Sequence, residues 1–156
     1  MSIKVGIIGG SGYTGVELLR ILHQHSEAEV IAISSRTLQG KKVAEIFPNM
    51  AGLSELIYSL PDDKNLNDCD VIFFATPHGV AMNSAGSFLD KGIKVIDLGA
   101  DFRIRDADNW SQWYDMKHTQ KSLSKRQFMV SQKFQERPLK TLAWLQTPVA
   151  IQQQFF

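Results

Sequence analysis

The sequence contains a single cysteine, Cys69, among its 156 residues. One cysteine cannot form a disulfide within the chain, and a cysteine-based zinc site would lack its ligands. No apolar stretch reaches the length of a membrane span, and the first residues show no basic, apolar and cleavage-site pattern of a signal peptide. We therefore expect a cytoplasmic protein with no metal site and no membrane partner.

The sequence also lacks an excess of charge of either sign. Its 17 Lys and Arg residues stand against 16 Asp and Glu residues, which gives a formal net charge of +1. Such a balance gives no reason to expect nucleic acid as a partner. The hydrophobic share of 44% and the length are those of an ordinary globular chain that can fill one core.

A glycine-rich turn follows directly on an apolar run at the start of the chain. The run Ile3–Ile8 leads into Gly9, and Gly12 and Gly15 follow at intervals of three residues. In units that bind dinucleotides, such glycines permit a tight turn, let the backbone approach a pyrophosphate and let the helix pack on the strand. Backbone N–H groups at the helix start then face the anion. The pattern predicts a nucleotide site.

Apolar runs and amphipathic segments alternate along the chain. The runs predict strands at residues 3–8, 30–34, 71–75 and 95–98, with a weaker strand around Tyr58. An apolar face over residues 16–22 predicts one helix, and a second is predicted over residues 80–90, ended by Gly92. This alternation predicts an α/β, Rossmann-type fold, in which helices cover both faces of a mostly parallel sheet.

The residues after the second predicted strand are candidates for binding a ribose phosphate. Ligands of open parallel sheets bind beyond the carboxyl ends of the strands, and there an NAD-specific site commonly has an acid. This sequence has Ser34, Ser35 and Arg36 instead. Hydroxyls beside a guanidinium suit a phosphate, which predicts NADP as the cofactor. The alternative is that Arg36 is a solvated loop cation, as Lys41 and Lys42 would be.

The loop after the third predicted strand contains Thr76, Pro77, His78 and Gly79. Proline stiffens the chain and glycine permits an unusual backbone angle, so this loop can lie against a cofactor. A single loop histidine is more often a surface or helix-start residue than a proton carrier. We therefore assign His78 to shaping the nicotinamide pocket.

The turn after the fourth predicted strand brings Asp97, Asp101 and Arg103 together. A structural ion pair is one interpretation, but the position favours a substrate or support role for Asp101 and Arg103. Cys69, by contrast, precedes the third strand and falls at the opposite end of the sheet. We interpret it as a small half-buried hydrophobic residue and not as a nucleophile.

Several motifs in a fixed order carry a family resemblance. They lie at residues 9–20, 47–49, 73–79 and 97–103, with Trp113 and Tyr114 after them. Over residues 1–119 the sequence resembles the amino-terminal half of N-acetyl-gamma-glutamyl-phosphate reductase. Aspartate-semialdehyde dehydrogenases share the fold and the chemistry but lack the motifs at residues 13–14 and 76–79. A relative that reduces a carrier-bound aminoadipyl phosphate for lysine biosynthesis remains an alternative.

The resemblance implies an enzyme of arginine biosynthesis, homo-oligomeric in the family, that acts on a small-molecule acyl phosphate. It implies NADPH-dependent reduction of N-acetyl-gamma-glutamyl phosphate to N-acetylglutamate semialdehyde. In the family, a cysteine of an Asn-Pro-Gly-Cys-Tyr-Pro motif displaces phosphate to form a thioester, hydride reduces the thioester, and a histidine handles the proton. That histidine lies in a second domain, which binds substrate and forms the dimer.

Neither catalytic group has a counterpart in this sequence, so we assign no catalytic residue and expect the second domain to be missing. The resemblance implies cofactor contacts at Ser11, Gly12, Tyr13, Thr14, Ser35 and Arg36. The rest of the predicted cofactor site comprises Gly9, Gly15, Ser34, Thr76, Pro77 and His78.

Residues 120–156 depart from the family. They carry one acid, Glu136, among many bases, and their hydrophobic residues follow no sustained period. The gene can be read in a shifted frame, in which each codon consists of the third base of one present codon and the first two bases of the next. In that frame, the codons of residues 126–131 permit Ala-Val-Tyr-Gly-Leu. Over residues 144–154 they permit Val-Ala-Asn-Pro-Gly-Cys-Tyr-Pro-Thr-Ala, which contains the family's cysteine motif. We therefore interpret residues 120–156 as an out-of-frame tail with few contacts to the sheet.

Two functions of different classes follow from the sequence. One is the reductase, of which residues 1–119 form the NADP-binding half. The other is a non-catalytic NADP-binding remnant that uses the pocket without chemistry. The missing cysteine favours the remnant for this polypeptide, whereas the motifs favour the reductase for its ancestry.

Overall fold

The computed structural model describes residues 2–51, 55–126 and 144–146. All strand pairings are parallel, and the order in the sheet is β3-β2-β1-β4-β5-β6. The strands are β1 (Ile3–Ile8), β2 (Ala28–Ser34), β3 (Tyr58–Ser59), β4 (Val71–Phe74), β5 (Lys94–Asp97) and β6 (Trp144–Gln146). The helices are α1 (Tyr13–His23), α2 (Val43–Ile46), α3 (Ala81–Leu89), α4 (Ala107–Tyr114) and α5 (Lys121–Arg126), with 3-10 turns at Pro48–Met50 and Lys64–Asp68.

Helices pack on both faces of the sheet, as β1 shows. Successive side chains of a strand point to opposite faces. Ile7 belongs to a buried cluster that contains Leu19 of α1, whereas Ile8 belongs to a second cluster that contains Phe88 of α3. Both isoleucines are at most 2% exposed. The predicted α/β fold is thus confirmed, and the predicted strands and the helix over 80–90 match β1 to β5 and α3 with small shifts at their ends.

The chain reverses direction across the sheet beside β1. From β1 it runs outward through β2 to β3, and it then returns to the other side of β1 as β4. The connections that follow β1 and β4 therefore leave the sheet on opposite sides. In open parallel sheets this arrangement opens a crevice at the carboxyl ends of the two strands.

The described parts of the segment 120–156 lie against the sheet, contrary to the expectation of few contacts. Strand β6 pairs with β5 from Val95 opposite Trp144 to Asp97 opposite Gln146. In α5, Leu123 packs on the core beside α3. A strand added to an edge is held by backbone N–H and C=O groups, which any sequence offers, so the hydrophobic pattern gave no sign of β6. The other residues of the proposed out-of-frame tail, 127–143 and 147–156, lie outside the described part of the chain.

Within the described ranges, no helix combines the length and the apolar character needed to cross a bilayer. In the same ranges, no three His, Cys, Asp or Glu side chains are grouped as ligands for a metal ion.

The close approach of α1 to the glycine turn predicts the effect of a single methyl group. A Cβ atom at Gly15 would lie 2.6 Å from the Gly10 Cα and 2.8 Å from the Gly9 carbonyl oxygen, both backbone atoms that cannot rotate away. We expect Gly15→Ala to lower the free energy of unfolding by about 1–3 kcal/mol, despite the higher helix propensity of alanine. Urea denaturation measures this change.

Gly12→Ser is the matched control. A Cβ atom at Gly12 finds only the Gly9 carbonyl oxygen, at 4.0 Å. The backbone at Gly12 is extended, as serine prefers at a helix N-cap. Its free energy of unfolding should change by less than about 0.5 kcal/mol. Equal stability of Gly15→Ala and the unmodified protein would contradict the packing argument.

Candidate functional site

A crevice of about 390 Å³ opens at the carboxyl edge of the sheet. It lies where the chain leaves β1 and β4, and it also reaches the residues that follow β2 and β3. Seven of its lining residues belong to the predicted cofactor site. The lining comprises Ile8, Gly9, Ser11, Gly12, Ser35, Arg36, Thr37, Pro61, Ala75, Thr76, Pro77 and Val80.

Backbone contacts hold the glycine turn at the bottom of the crevice. The N–H groups of Gly9 and Gly10 donate to the Ser34 carbonyl at 3.1 and 3.0 Å, which ties the turn to the end of β2. Gly9 has a φ of +85°, and a Cβ atom there would lie 2.5 Å from the Ala75 carbonyl oxygen. The Tyr58 hydroxyl donates to the Gly10 carbonyl at 3.1 Å. Only glycine fits at position 9, because any side chain would part the turn from the loop after β4.

The start of α1 offers backbone donors to an anion. Its N-cap is Gly12, which has no side chain to accept from the first-turn N–H groups, and no acid lies in that turn. Such N–H groups have no partner within the helix, and the helix dipole adds positive potential. This arrangement suits a pyrophosphate. Of the neighbouring predicted contacts, Tyr13 is 94% exposed and Thr14 is exposed, and neither lines the crevice.

Hydroxyl groups and one cation form the end of the crevice beyond β2. The Ser35 hydroxyl donates to the Ser11 hydroxyl at 3.0 Å and accepts the Thr37 N–H at 3.3 Å. Arg36 lines the crevice with its side chain exposed, and no acidic side chain is among the described lining residues. Ser34 is fully buried below them, and its hydroxyl has no hydrogen-bond partner within the described ranges. This end of the crevice is therefore suited to a phosphate.

The loop after β4 forms the other wall. Thr76 and Pro77 line the crevice, and the Thr76 hydroxyl is buried without a partner among the described groups. His78 does not line it. The His78 ring is exposed and packs edge-on against Tyr114, with 4.8 Å between ring centroids. The structure therefore places the predicted pocket histidine on the outer side of this wall.

Asp101 braces this wall from behind. It is 1% exposed, and its two carboxylate oxygens accept the N–H groups of Gly79 at 2.8 Å and Met82 at 2.9 Å. Both oxygens are thus engaged with backbone, which favours the support role over substrate contact. Arg103 lies outside the crevice lining, and its guanidinium Nη2 donates to the Gly99 carbonyl at 3.5 Å.

Asp97 is a buried acid to which the sequence pattern gave no role of its own. It ends β5 and is fully buried, and its Oδ1 accepts the Gly99 N–H at 2.8 Å. Burial raises the pKa of this carboxyl to about 7, the Gly99 amide partly offsets the shift, and the Asp101 charge adds to it. The signal was present in the sequence as an acid that ends an apolar strand.

Cys69 lies at the amino edge of the sheet, away from the crevice, as predicted. It precedes β4, is 5% exposed, and its thiol donates to the Asn65 carbonyl at 3.7 Å. Burial, reinforced by the charges of Asp68 and Asp70, raises the pKa of the thiol to about 11. A thiol of this kind is protonated at neutral pH and is a poor nucleophile.

Pro61 and Thr37 also line the crevice, although neither was among the predicted site residues. Pro61 reaches the crevice because β3 is a parallel neighbour of β2, so the residues after it emerge at the same edge. The weak strand around Tyr58 was the only signal for this. Thr37 follows Arg36 directly, so the same pattern of hydroxyls that selected Ser34 and Ser35 could have included it.

The raised pKa of Asp97 predicts a specific dependence of stability on pH. Since the folded state holds this proton more tightly, its contribution is complete below the unfolded pKa of about 3.8 and is lost as the pH rises through about 7. Through Asp97 we expect the free energy of unfolding to fall by on the order of 4 kcal/mol over this range, of which about 3 kcal/mol is lost between pH 5 and pH 8. Urea denaturation at pH 5 and pH 8 measures the difference.

Asp97→Asn should remove this part of the pH dependence, since an amide has the shape of the protonated carboxyl and does not ionise. Asp62→Asn, at an exposed aspartate, should leave the dependence unchanged. The same fall in stability for Asp97→Asn and the unmodified protein would show that Asp97 does not titrate as inferred.

Sequence comparison finds close relatives that are much longer than this chain. The chain is 61% identical over 123 residues to N-acetyl-gamma-glutamyl-phosphate reductase of Ruthia magnifica subsp. Calyptogena magnifica, a match over 79% of this chain and 36% of that protein. It is 58% identical over 117 residues to the protein of the same name from Pseudomonas fluorescens, over 74% of this chain and 34% of that one. The chain thus spans about a third of the length of these curated relatives.

Solved structures share the fold at low identity. The aspartate semialdehyde dehydrogenase from Candida albicans, solved with NADP, aligns with a TM-score of 0.57 and 24% identity over 66% of this chain and 31% of that one. Aspartate semialdehyde dehydrogenase II from Vibrio cholerae aligns with a TM-score of 0.56 and 18% identity over 66% and 30%.

The family model described as the semialdehyde dehydrogenase NAD binding domain matches residues 4–146. This range begins in β1 and ends in β6, and it includes every residue that lines the crevice. The glycine turn, the parallel sheet and this match agree, and the chain belongs to the semialdehyde dehydrogenase NAD-binding domain family.

Proposed function

We propose that this chain is the NADP-binding half of a reductase that converts N-acetyl-gamma-glutamyl phosphate to N-acetylglutamate semialdehyde in arginine biosynthesis. The observation that carries the proposal is the crevice, in which the glycine turn faces a hydroxyl and arginine cluster at one end and the Thr76–Pro77 loop at the other. The names of the curated relatives support this substrate. A role in such a biosynthetic reaction would place the protein in the cytoplasm.

The residues of the crevice fit a dinucleotide. The tight contact at Gly9 leaves the backbone bare where a pyrophosphate would lie, and the start of α1 supplies N–H donors. We assign the binding of the 2′-phosphate to Arg36, with the Ser35 and Ser11 hydroxyls beside it. A guanidinium binds phosphate through paired N–H donors, whereas NAD would leave this cation without its anion.

Two predicted contacts take a different role in this proposal. Gly15 acts through the fold, because its missing side chain lets α1 pack on the turn. His78 acts on the outer side of the wall through its contact with Tyr114. The cofactor contacts proper are then the lining residues, with Tyr13 and Thr14 exposed at the rim.

The chemistry that NADPH supplies in such a reductase is a hydride for an acyl group. The described residues bind and orient the cofactor. The glycine turn would hold its phosphates, and the Thr76–Pro77 wall would position the part of the cofactor that lies away from Arg36. None of the described residues offers a thiolate at the crevice, since Cys69 is buried at the other edge of the sheet. We therefore propose that the chain as it stands binds the cofactor without reducing an acyl phosphate.

The proposed change of reading frame near Gln120 accounts for the missing nucleophile. In the shifted frame the codons of residues 144–154 permit the Asn-Pro-Gly-Cys-Tyr-Pro motif. Strand β6 runs parallel to β5, so the chain leaves it at the edge of the sheet where the crevice opens. A motif that follows a strand at this position would reach the cofactor side of the sheet.

A non-catalytic NADP-binding remnant is the second candidate, and the buried position of Cys69 favours it for this polypeptide. The two candidates share the cofactor site and differ in turnover alone. Reduction of a carrier-bound aminoadipyl phosphate is not favoured, because the curated relatives reported above bear the name of the N-acetylglutamyl enzyme.

The first test of this function is cofactor preference. The unmodified protein should bind NADP⁺ more tightly than NAD⁺, and Arg36→Ala should remove most of that difference. Loss of a charge-assisted phosphate contact costs about 1.5–3 kcal/mol, or roughly a tenfold to more than a hundredfold loss of affinity. Isothermal titration with both cofactors measures it. The control is Lys41→Ala, which removes a nearby exposed cation outside the crevice lining and should change neither affinity. Equal affinities of the unmodified protein for the two cofactors would rule out NADP as the preferred cofactor.

The second test concerns catalysis and the reading frame. The 156-residue chain should show no oxidation of NADPH that depends on added N-acetyl-gamma-glutamyl phosphate, whereas a gene restored to frame near Gln120 should give turnover. The absorbance of NADPH reports the rate. Codons at Val149 and Ala150 that cannot yield cysteine in the shifted frame would exclude the frame change. Turnover by the chain alone that Cys69→Ser abolishes would show that the active site lies at the other edge of the sheet.

A further inference from the structure

A buried histidine outside the crevice is tied to the loop that forms its wall. His118 follows α4, is 2% exposed, and lies edge-on to the rings of Phe102 at 5.6 Å and Trp110 at 5.0 Å between centroids. Its Nε2 lies 2.7 Å from the carbonyl oxygen of Asp101. His118 was not among the predicted site residues. Both of its ring nitrogens nevertheless have hydrogen-bond partners, which fix the orientation of the ring.

The hydrogen bonds determine which ring nitrogen carries the proton. The Gln120 N–H donates to Nδ1 at 3.2 Å, so Nδ1 is an acceptor. Nε2 therefore carries the hydrogen and donates it to the Asp101 carbonyl. The Ser124 hydroxyl lies 3.2 Å from Nε2 and donates its own hydrogen to the Gln120 carbonyl at 3.3 Å. These contacts give Nε2 the role of donor and Nδ1 the role of acceptor.

Two chains of contacts lead from residues 118–120, here termed the clasp, to the wall loop. The first runs from His118 to the Asp101 backbone, and the Asp101 carboxylate then holds the N–H groups of Gly79 and Met82. The second runs from the Thr119 hydroxyl to the Asn83 side chain at 3.0 Å, whose amide donates to the Gly79 carbonyl at 2.6 Å. The clasp thus reaches both the N–H and the carbonyl of Gly79.

Gly79 is the point at which this bracing matters most. It has a φ of +88° and lies two residues after Pro77, so that only His78 separates it from the Thr76–Pro77 wall. Its N–H is held by the Asp101 carboxylate, from the turn after β5, and its carbonyl by the Asn83 amide, from α3. Because Asp101 also accepts from Met82 in the first turn of α3, it fixes the loop and the helix start as one unit.

We propose that His118 is a positioning residue of the cofactor site, which sets the wall at Thr76 and Pro77 through Asp101 and Gly79. The proposal rests on the proposed function, because it takes the Thr76–Pro77 wall, at the end of the crevice away from Arg36, as the place of the nicotinamide end of NADP. It predicts that His118 affects binding of the part of the cofactor that lies along this wall. Binding at the hydroxyl and arginine end, on the other side of the glycine turn, is independent of His118.

Two ligands separate these ends. Adenosine 2′,5′-bisphosphate contains only the adenine ribose phosphates, whereas NADP⁺ reaches the wall loop. We expect His118→Ala to weaken NADP⁺ binding by roughly twofold to thirtyfold, the range of coupling through packed networks, and to leave binding of the bisphosphate unchanged. His118→Gln, whose amide nitrogen can occupy the place of Nε2, should restore most of the NADP⁺ affinity. His23→Ala, at an exposed histidine in α1, is the matched control and should change neither affinity.

A parallel measurement needs no ligand. Amide hydrogen exchange at Gly79 and Met82 should be faster in His118→Ala than in the unmodified protein, and slow again in His118→Gln. Should His118→Ala fail to fold, Asp101→Asn interrupts the same chain of contacts at its next step, and it should weaken NADP⁺ binding without affecting the bisphosphate.

The outcomes separate this proposal from the function it rests on. If the unmodified protein binds neither ligand, the proposed function fails, and amide exchange still decides whether His118 holds the loop. Equal loss of both ligands in His118→Ala, or unchanged exchange at Gly79 and Met82, would overturn the positioning role. Failure of His118→Gln to restore NADP⁺ binding would overturn it as well.

Discussion

The structure depends on the contact between bare backbones at the glycine turn. Gly15 of α1 lies against Gly10, and Gly9 lies against the backbone after β4, at distances that admit no Cβ atom. These contacts bring the helix start and the ends of β1 and β4 within reach of one ligand. Since the contacts are between backbones, they fix the crevice independently of the side chains that line it, and Arg36 and Ser35 can then set which phosphate is bound.

At the carboxyl edge of the sheet, buried carboxylates accept the backbone N–H groups that strand pairing satisfies elsewhere in the sheet. The loops at the carboxyl edge have N–H groups that no strand pairs, and burial of such groups without partners is costly. Asp101 satisfies those of Gly79 and Met82, and Asp97 satisfies that of Gly99. The two acids therefore act on the crevice wall through backbone geometry, which explains why neither lines the crevice itself.

The sequence predicted the parts of the fold that depend on local pattern. The bounds of β1 followed from an apolar run that ends in glycine, and the crevice lining at Ser35 and Thr76 followed from their places after strands. The rest depends on contacts between distant residues. His78 faces outward because Tyr114, 36 positions later in the chain, packs on it, and Asp101 is a support because amides 19 and 22 residues earlier claim its oxygens. Composition and periodicity contain no signal for such pairings.

The strand order has a consequence for how the protein acquires its site. β1 pairs with β4, which lies far from it in the sequence: the Lys4 N–H donates to the carboxylate of Asp70, 66 residues later. Chains whose contacts are this far apart pay the entropy of closing a long loop before the contacts form, and they fold slowly. A chain in which only β1 to β3 have paired has the glycine turn and the Ser35–Arg36 end of the crevice, but it lacks the Thr76–Pro77 wall that follows β4. A dinucleotide therefore stabilises only the completed sheet, and its presence during refolding favours the finished fold over partly paired intermediates.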